Sequence, residues 1–271
     1  MKINTTLAQI GNRRDSTGAI SFPVYYSATF SHPELGVSTG FDYSRSGNPT
    51  RQVLEQAIAQ LEGGIGGFAF SSGMAAITTL LALFKSGDHL IVTEDLYGGT
   101  YRLLKDVFCN FGIKVSYVDT SNIDSVCEAI RPCSKAIFCE TPTNPLLRVA
   151  DIRSLSELAR TRNLLCIVDN TFMTPILQRP LELGADIVIH SATKFIGGHN
   201  DVVAGLVAVN NEQLAKKIGY LQNALGAILG PQDSWLLIRS LKTLGLRIAA
   251  QETNAQVLAH WLTTQPLVKK C

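Results

Sequence analysis

An α/β fold with a mostly parallel central sheet is what three features of this 271-residue sequence predict. Short, near-continuous apolar runs recur between residues 51 and 210, amphipathic stretches of helical period separate them, and glycines or small polar residues mark the junctions. Strands apolar on both faces belong to sheets covered by helices on both sides, and alternation with helices makes such strands parallel. With 46% hydrophobic and 17% charged residues the chain has an ordinary globular composition and can bury a large core.

The elements follow in chain order. Residues 1–50 are rich in Ser, Thr, Gly and Tyr and weakly periodic, which predicts an extended arm that packs on a partner subunit. Leu54, Ala57, Ile58 and Leu61 recur at helical spacing, and Gly63-Gly64 predicts the stop. Phe68-Ala69-Phe70 reads as a short strand and residues 73–84 as a helix. Further buried strands are predicted over 89–93, 114–118, 135–139, 164–168 and 186–189, with amphipathic segments at 101–111 and 152–162 between them. Past residue 210 the pattern is helical throughout, over 212–225, 232–241 and 244–262. Three parts result: an arm over 1–50, an α/β domain over 51–240, and a helical segment over 241–271.

Several function classes lose their footing at this stage. Lys+Arg number 24 against 22 Asp+Glu, a net charge of +2, and no basic run offers a nucleic-acid surface. The apolar run Leu80-Leu81-Ala82-Leu83-Phe84 is too short to span a bilayer, and residues 1–6 lack the apolar core of a signal peptide. The expectation is a cytoplasmic protein acting on small molecules. Cys109, Cys127, Cys133, Cys139, Cys166 and Cys271 show no C-x-x-C pairing and are expected to be reduced core thiols. His190 and His199 are expected to bond to backbone rather than to hold a metal. No P-loop occurs, and Gly63-Gly64-Ile65-Gly66-Gly67 follows a helix, so it reads as a helix stop rather than a dinucleotide fingerprint.

The residues with chemical potential fall after predicted strands, where ligands lie in sheets of this kind. Asp169 closes one strand and Lys194, in His190-Ser191-Ala192-Thr193-Lys194, follows the next. An acid and a lysine so placed are what pyridoxal phosphate (PLP) needs: the lysine binds the aldehyde and the acid keeps the ring nitrogen protonated. Asp169 reads equally as a helix cap. Ser71-Ser72-Gly73-Met74, between strand and helix, suits a phosphate, or is an ordinary serine cap. Tyr97 could stack on a planar ring and move a proton, or cover the core. Asn144, in Glu140-Thr141-Pro142-Thr143-Asn144-Pro145, could bond a ring substituent, or simply start a turn. Ser191 and Thr193 add hydroxyls beside the lysine.

Together these segments resemble the Cys/Met-metabolism PLP enzymes of fold type I. The resemblance also takes in Phe41-Asp42-Tyr43-Ser44-Arg45-Ser46-Gly47-Asn48-Pro49-Thr50-Arg51, Asp95-Leu96-Tyr97-Gly98-Gly99-Thr100 and Val168-Asp169-Asn170-Thr171-Phe172. It implies that Lys194 carries the cofactor, Asp169 pairs with its ring nitrogen, and Tyr97 stacks on the ring and shares proton handling with Lys194. It implies cofactor contacts from Ser72, Gly73, Met74, Asn144, Thr171, Ser191 and Thr193. Tyr43 and Arg45 would reach the phosphate of a neighbouring subunit, making a homodimer or homotetramer with shared sites. The family continues into a small carboxy-terminal domain bearing a substrate-carboxylate arginine, so residues 241–271 would be the helix leading to a domain this chain lacks. The implied reaction is transsulfuration: γ-replacement on an O-acyl-homoserine by cysteine or sulfide. A cystathionine β-lyase or γ-lyase is the alternative, and a non-catalytic PLP-binding fragment a third.

Overall fold

The computed structural model describes residues 2–12 and 17–269. Among these, seven strands form one sheet: β1 (Gly66–Phe70), β2 (His89–Thr93), β3 (Lys114–Val118), β4 (Ser134–Glu140), β5 (Leu165–Asp169), β6 (Ile187–Ser191) and β7 (Gly205–Val209). Their spatial order is β1-β7-β6-β5-β4-β2-β3. Strands β2 to β6 pair in parallel, whereas β7 runs antiparallel to both its neighbours, so β1 points the same way as the rest.

Helices cover both faces, as the apolar strands require. They are α1 (Ile3–Gln9), α2 (Pro49–Glu62), α3 (Gly73–Leu81), α4 (Gly98–Arg102), α5 (Ile123–Glu128), α6 (Ile152–Thr161), α7 (Thr174–Leu177), α8 (Glu212–Leu225), α9 (Pro231–Leu241) and α10 (Leu244–Thr263). Side chains alternate between the two faces along each strand. Val188, Leu206 and Ala208 pack under α2, α9 and the start of α10. Further along that face Ile137, Cys139, Cys166 and Val168 meet α6. On the opposite face Ile187, Ile189, Val207 and Val209 pack with α3 and α8.

Four expectations need correction. The arm is not extended throughout: α1 is helical, and Leu7 and Ile10 are buried in this chain's own core. A few apolar residues in a short polar helix are too weak a periodic signal to read alone. Strand β7 was not expected, because its five buried residues sit where the pattern turns helical. The glycine run divides: Gly63, at φ +74°, ends α2, but Gly66 and Gly67 open β1. A Cβ on Gly67 would lie 2.0 Å from the Glu55 carbonyl oxygen, so only glycine lets α2 pack this close. Finally, the thiols are not all core groups. Cys139 and Cys166 are, and burial pushes them up to about 12 and about 11, but Cys109 and Cys127 are exposed and Cys271 lies outside the described residues. No helix among the described residues is long and apolar enough to cross a membrane.

Candidate active site

Five strands deliver their carboxyl ends to one rim of the sheet, and each releases a residue of interest there. β1 leads to Ser72 and Gly73, β2 to Tyr97, β4 to Glu140 and Asn144, β5 to Asp169 and Thr171, and β6 to Ser191, Thr193 and Lys194. A cavity of about 1170 Å³ opens at this rim. Ser72, Gly73, Met74, Tyr97, Asn144, Asp169, Thr171, Ser191, Thr193 and Lys194 all line it. Tyr43 and Arg45 do not. The Arg45 guanidinium lies 5.4 Å from the centre of the Tyr43 ring and donates to the Asn223 carbonyl at 2.6 Å.

Ser72 fills both parts left open for it, since its Oγ caps α3 by accepting from Ala75 N at 3.0 Å while the residue lines the cavity. That cap directs the first turn of α3, with its unpaired N–H groups and positive dipole end, toward the cavity. Gly73 lets this helix end approach β6: a Cβ there would meet Ser191 Cβ at 2.9 Å and Oγ at 3.1 Å. The result is a small, donor-rich cradle of the kind a phosphate needs.

Asp169 is buried, and burial raises its carboxyl above the ordinary aspartate value, with the Thr171 hydrogen bonds and His190 working the other way. Both Thr171 bonds go to Oδ1, from the backbone N–H at 3.0 Å and from the hydroxyl at 2.6 Å. Oδ2 has no hydrogen-bond partner among the described residues. Thr171 Oγ1 in turn accepts from Ser191 N at 2.8 Å, which ties the end of β5 to the end of β6. Thr193 Oγ1 accepts from Ala204 N at 3.0 Å, anchoring the turn that carries Lys194. Lys194 is exposed, lines the cavity, and has no ion-pair partner among the described residues. A buried acid with one oxygen unpartnered among the described residues, an amine and a donor-rich cradle on one cavity are groups that fit PLP, whose ring nitrogen would supply a cation to a buried acid.

Glu140 was quoted in the sequence only as part of a motif, yet it is central here. Its Oε2 accepts from Tyr97 N at 2.7 Å and its Oε1 from Asn144 N at 2.9 Å. Burial, then the adjacent Asp169 charge, raise its carboxyl, and the two N–H bonds oppose this. Val202 and Gln251 complete part of the lining from segments that carried no motif, and Phe172 adds to it from the end of the Asp169 segment. The histidines point elsewhere. His199 bonds to the Gly197 carbonyl at 2.6 Å, whereas His190, expected to meet backbone, is fully buried 2.6 Å from Glu62. No group of three or more His, Cys, Asp or Glu among the described residues is placed to hold a metal.

Comparison with known proteins agrees with this geometry. The profile of a family described as Cys/Met metabolism PLP-dependent enzyme matches residues 4–271. A Bacillus subtilis cystathionine gamma-synthase/O-acetylhomoserine (thiol)-lyase is 57% identical, over 97% of this chain and 71% of that protein. A Lactococcus lactis subsp. cremoris cystathionine beta-lyase is 54% identical, over 94% of this chain and 67% of that one. The crystal structure of a Lactobacillus plantarum cystathionine gamma-lyase complexed with L-serine superposes with a TM-score of 0.97 at 50% identity, covering 100% of this chain and 71% of its own.

Proposed function

The chain belongs to the Cys/Met metabolism PLP-dependent enzymes, and on that footing we propose that it catalyses γ-replacement on an O-acyl-homoserine. Cysteine thiol or sulfide would displace the γ-acyloxy group, giving cystathionine or homocysteine. The observation that carries the reading is the convergence of an Asp169 oxygen without a partner, the Lys194 amine and the α3 cradle on one cavity. Among relatives, the 57% identity to a protein named for both synthase and thiolyase activity supports the choice of reaction.

Bound PLP supplies an aldehyde that takes the substrate amine and a ring that stores the electron pair left at Cα. In the proposed division of labour Lys194 Nζ would hold the cofactor's aldehyde at rest and, when free, would take the substrate's Cα proton. Asp169 would accept a hydrogen bond from the protonated ring nitrogen and so keep the proton on that nitrogen, which the absence of a partner for Oδ2 among the described residues favours. Tyr97 would cover the ring, and its hydroxyl would serve as the second proton-handling group. Ser72, Gly73, Met74, Ser191 and Thr193 would hold the phosphate, Thr171 fixes Asp169, and Asn144 would bond the ring. Tyr43 and Arg45 serve the phosphate of a neighbouring subunit, consistent with their place on the arm outside the cavity of their own chain.

A cystathionine β-lyase is the second reading, supported by the Lactococcus relative of that name. It uses the same residues and breaks a Cβ–S bond. Assaying the purified protein with O-acetylhomoserine plus cysteine, and separately with cystathionine, decides between them. Cystathionine formation in the first assay is expected. Pyruvate from cystathionine with no γ-replacement would reject the synthase reading.

A further inference from the structure

We infer that Glu140 is a positioning residue of this site: its carboxylate holds the Tyr97 and Asn144 loops in the register that places both over the cofactor ring. This rests on the PLP reading above. Glu140 is the last residue of β4, and its own N–H donates to Thr93 Oγ1 at 3.2 Å, so its base is fixed to the end of β2. From there each carboxylate oxygen reaches a different loop, Oε2 taking Tyr97 N at 2.7 Å and Oε1 taking Asn144 N at 2.9 Å. Neither N–H has another acceptor among the described residues. The two loops meet at two further points, where Thr143 Oγ1 donates to Asp95 Oδ2 at 2.7 Å and Arg148 Nη1 donates to Glu94 Oε1 at 2.6 Å, both nearer the start of the Tyr97 loop. Without Glu140 the Tyr97 loop, which enters α4 with no side-chain cap, would keep only those two outer ties to the Asn144 loop, at Glu94 and Asp95, and none at Tyr97 itself.

The chemistry explains why an acid stands here. Burial and the Asp169 charge work against an ionised Glu140. A glutamine would escape that cost, but its amide nitrogen is a donor and would face one of the two N–H groups. Only a carboxyl group of this length offers an acceptor to both.

The test is a double-mutant cycle read as PLP affinity of the whole chain, by equilibrium absorbance titration. Glu140→Gln should weaken PLP binding about tenfold, as one lost charge-assisted hydrogen bond does. In a Tyr97→Ala background the same substitution should cost less than about threefold, because much of what Glu140 places is gone. Glu140→Asp keeps the charge but falls short of both N–H groups, so it should resemble Gln; it replaces Gln in the cycle if circular dichroism shows that variant unfolded. Unchanged affinity in Glu140→Gln, a full tenfold loss that persists beside Tyr97→Ala, or wild-type affinity in Glu140→Asp each overturns the inference. If the wild-type chain binds no PLP, the functional reading itself falls.

Discussion

At Asp169 the fold buries a carboxyl group with one oxygen that has no partner among the described residues. Burial raises its proton affinity above that of the unfolded chain. The folded state therefore binds the proton more tightly, and stability without cofactor falls as pH rises from the ordinary carboxylate range toward the raised value. Asp169→Asn should flatten that slope in thermal melts across pH, while weakening PLP binding by about ten- to a hundredfold, the value of a hydrogen bond to a charged group. An unaltered slope with unaltered PLP affinity would contradict this assignment. Asp169 and Lys194 stood out in the sequence because Asp169 directly follows one apolar run and Lys194 lies five residues past the end of the next. Glu140 did not. Its role lies in two backbone N–H groups, one of them 43 residues away, and nothing in residue type marks an acceptor of backbone bonds.

Elements are held in place by contacts the sequence hides even better. Glu62, the last residue of α2, meets His190 of β6 across 128 positions, and both are fully buried. Glu62 Oε1 also accepts from Asn170 Nδ2 at 3.1 Å, and Gln178 Nε2 extends the network to the Thr141 carbonyl at 3.1 Å. The ends of β4, β5 and β6 are thus pinned from the face opposite the cavity. His190→Ala would leave the Glu62 carboxyl buried with Asn170 as its remaining partner, and should cost about 2–4 kcal/mol in chemical denaturation. A loss below about 1 kcal/mol would show that the network relaxes freely. Elements themselves were legible where periodicity ran long, as in α2 and α8, whose apolar positions recur over 14 residues each. The sequence was mute at α1 and β7, with 7 and 5 residues, where tertiary burial rather than pattern decides the structure.

Taken whole, the molecule is a sheet whose parallel strands all empty onto one rim, with a single antiparallel strand, β7, inserted between β1 and β6. β1 and β6 flank that strand, and Gly73 at the start of α3 packs against Ser191 at the end of β6, so the Ser72 turn and the Lys194 turn share one cavity although they are far apart in the chain. Sequence order revealed the blocks; only the strand order shows which of them touch. The central claim is that Lys194 is the amine that holds PLP here. Incubation with PLP, borohydride reduction and peptide mass mapping tests it directly. The expected result is one phosphopyridoxyl group, on Lys194, absent from Lys194→Ala. A label on another lysine, or equal labelling of the variant, would contradict the account.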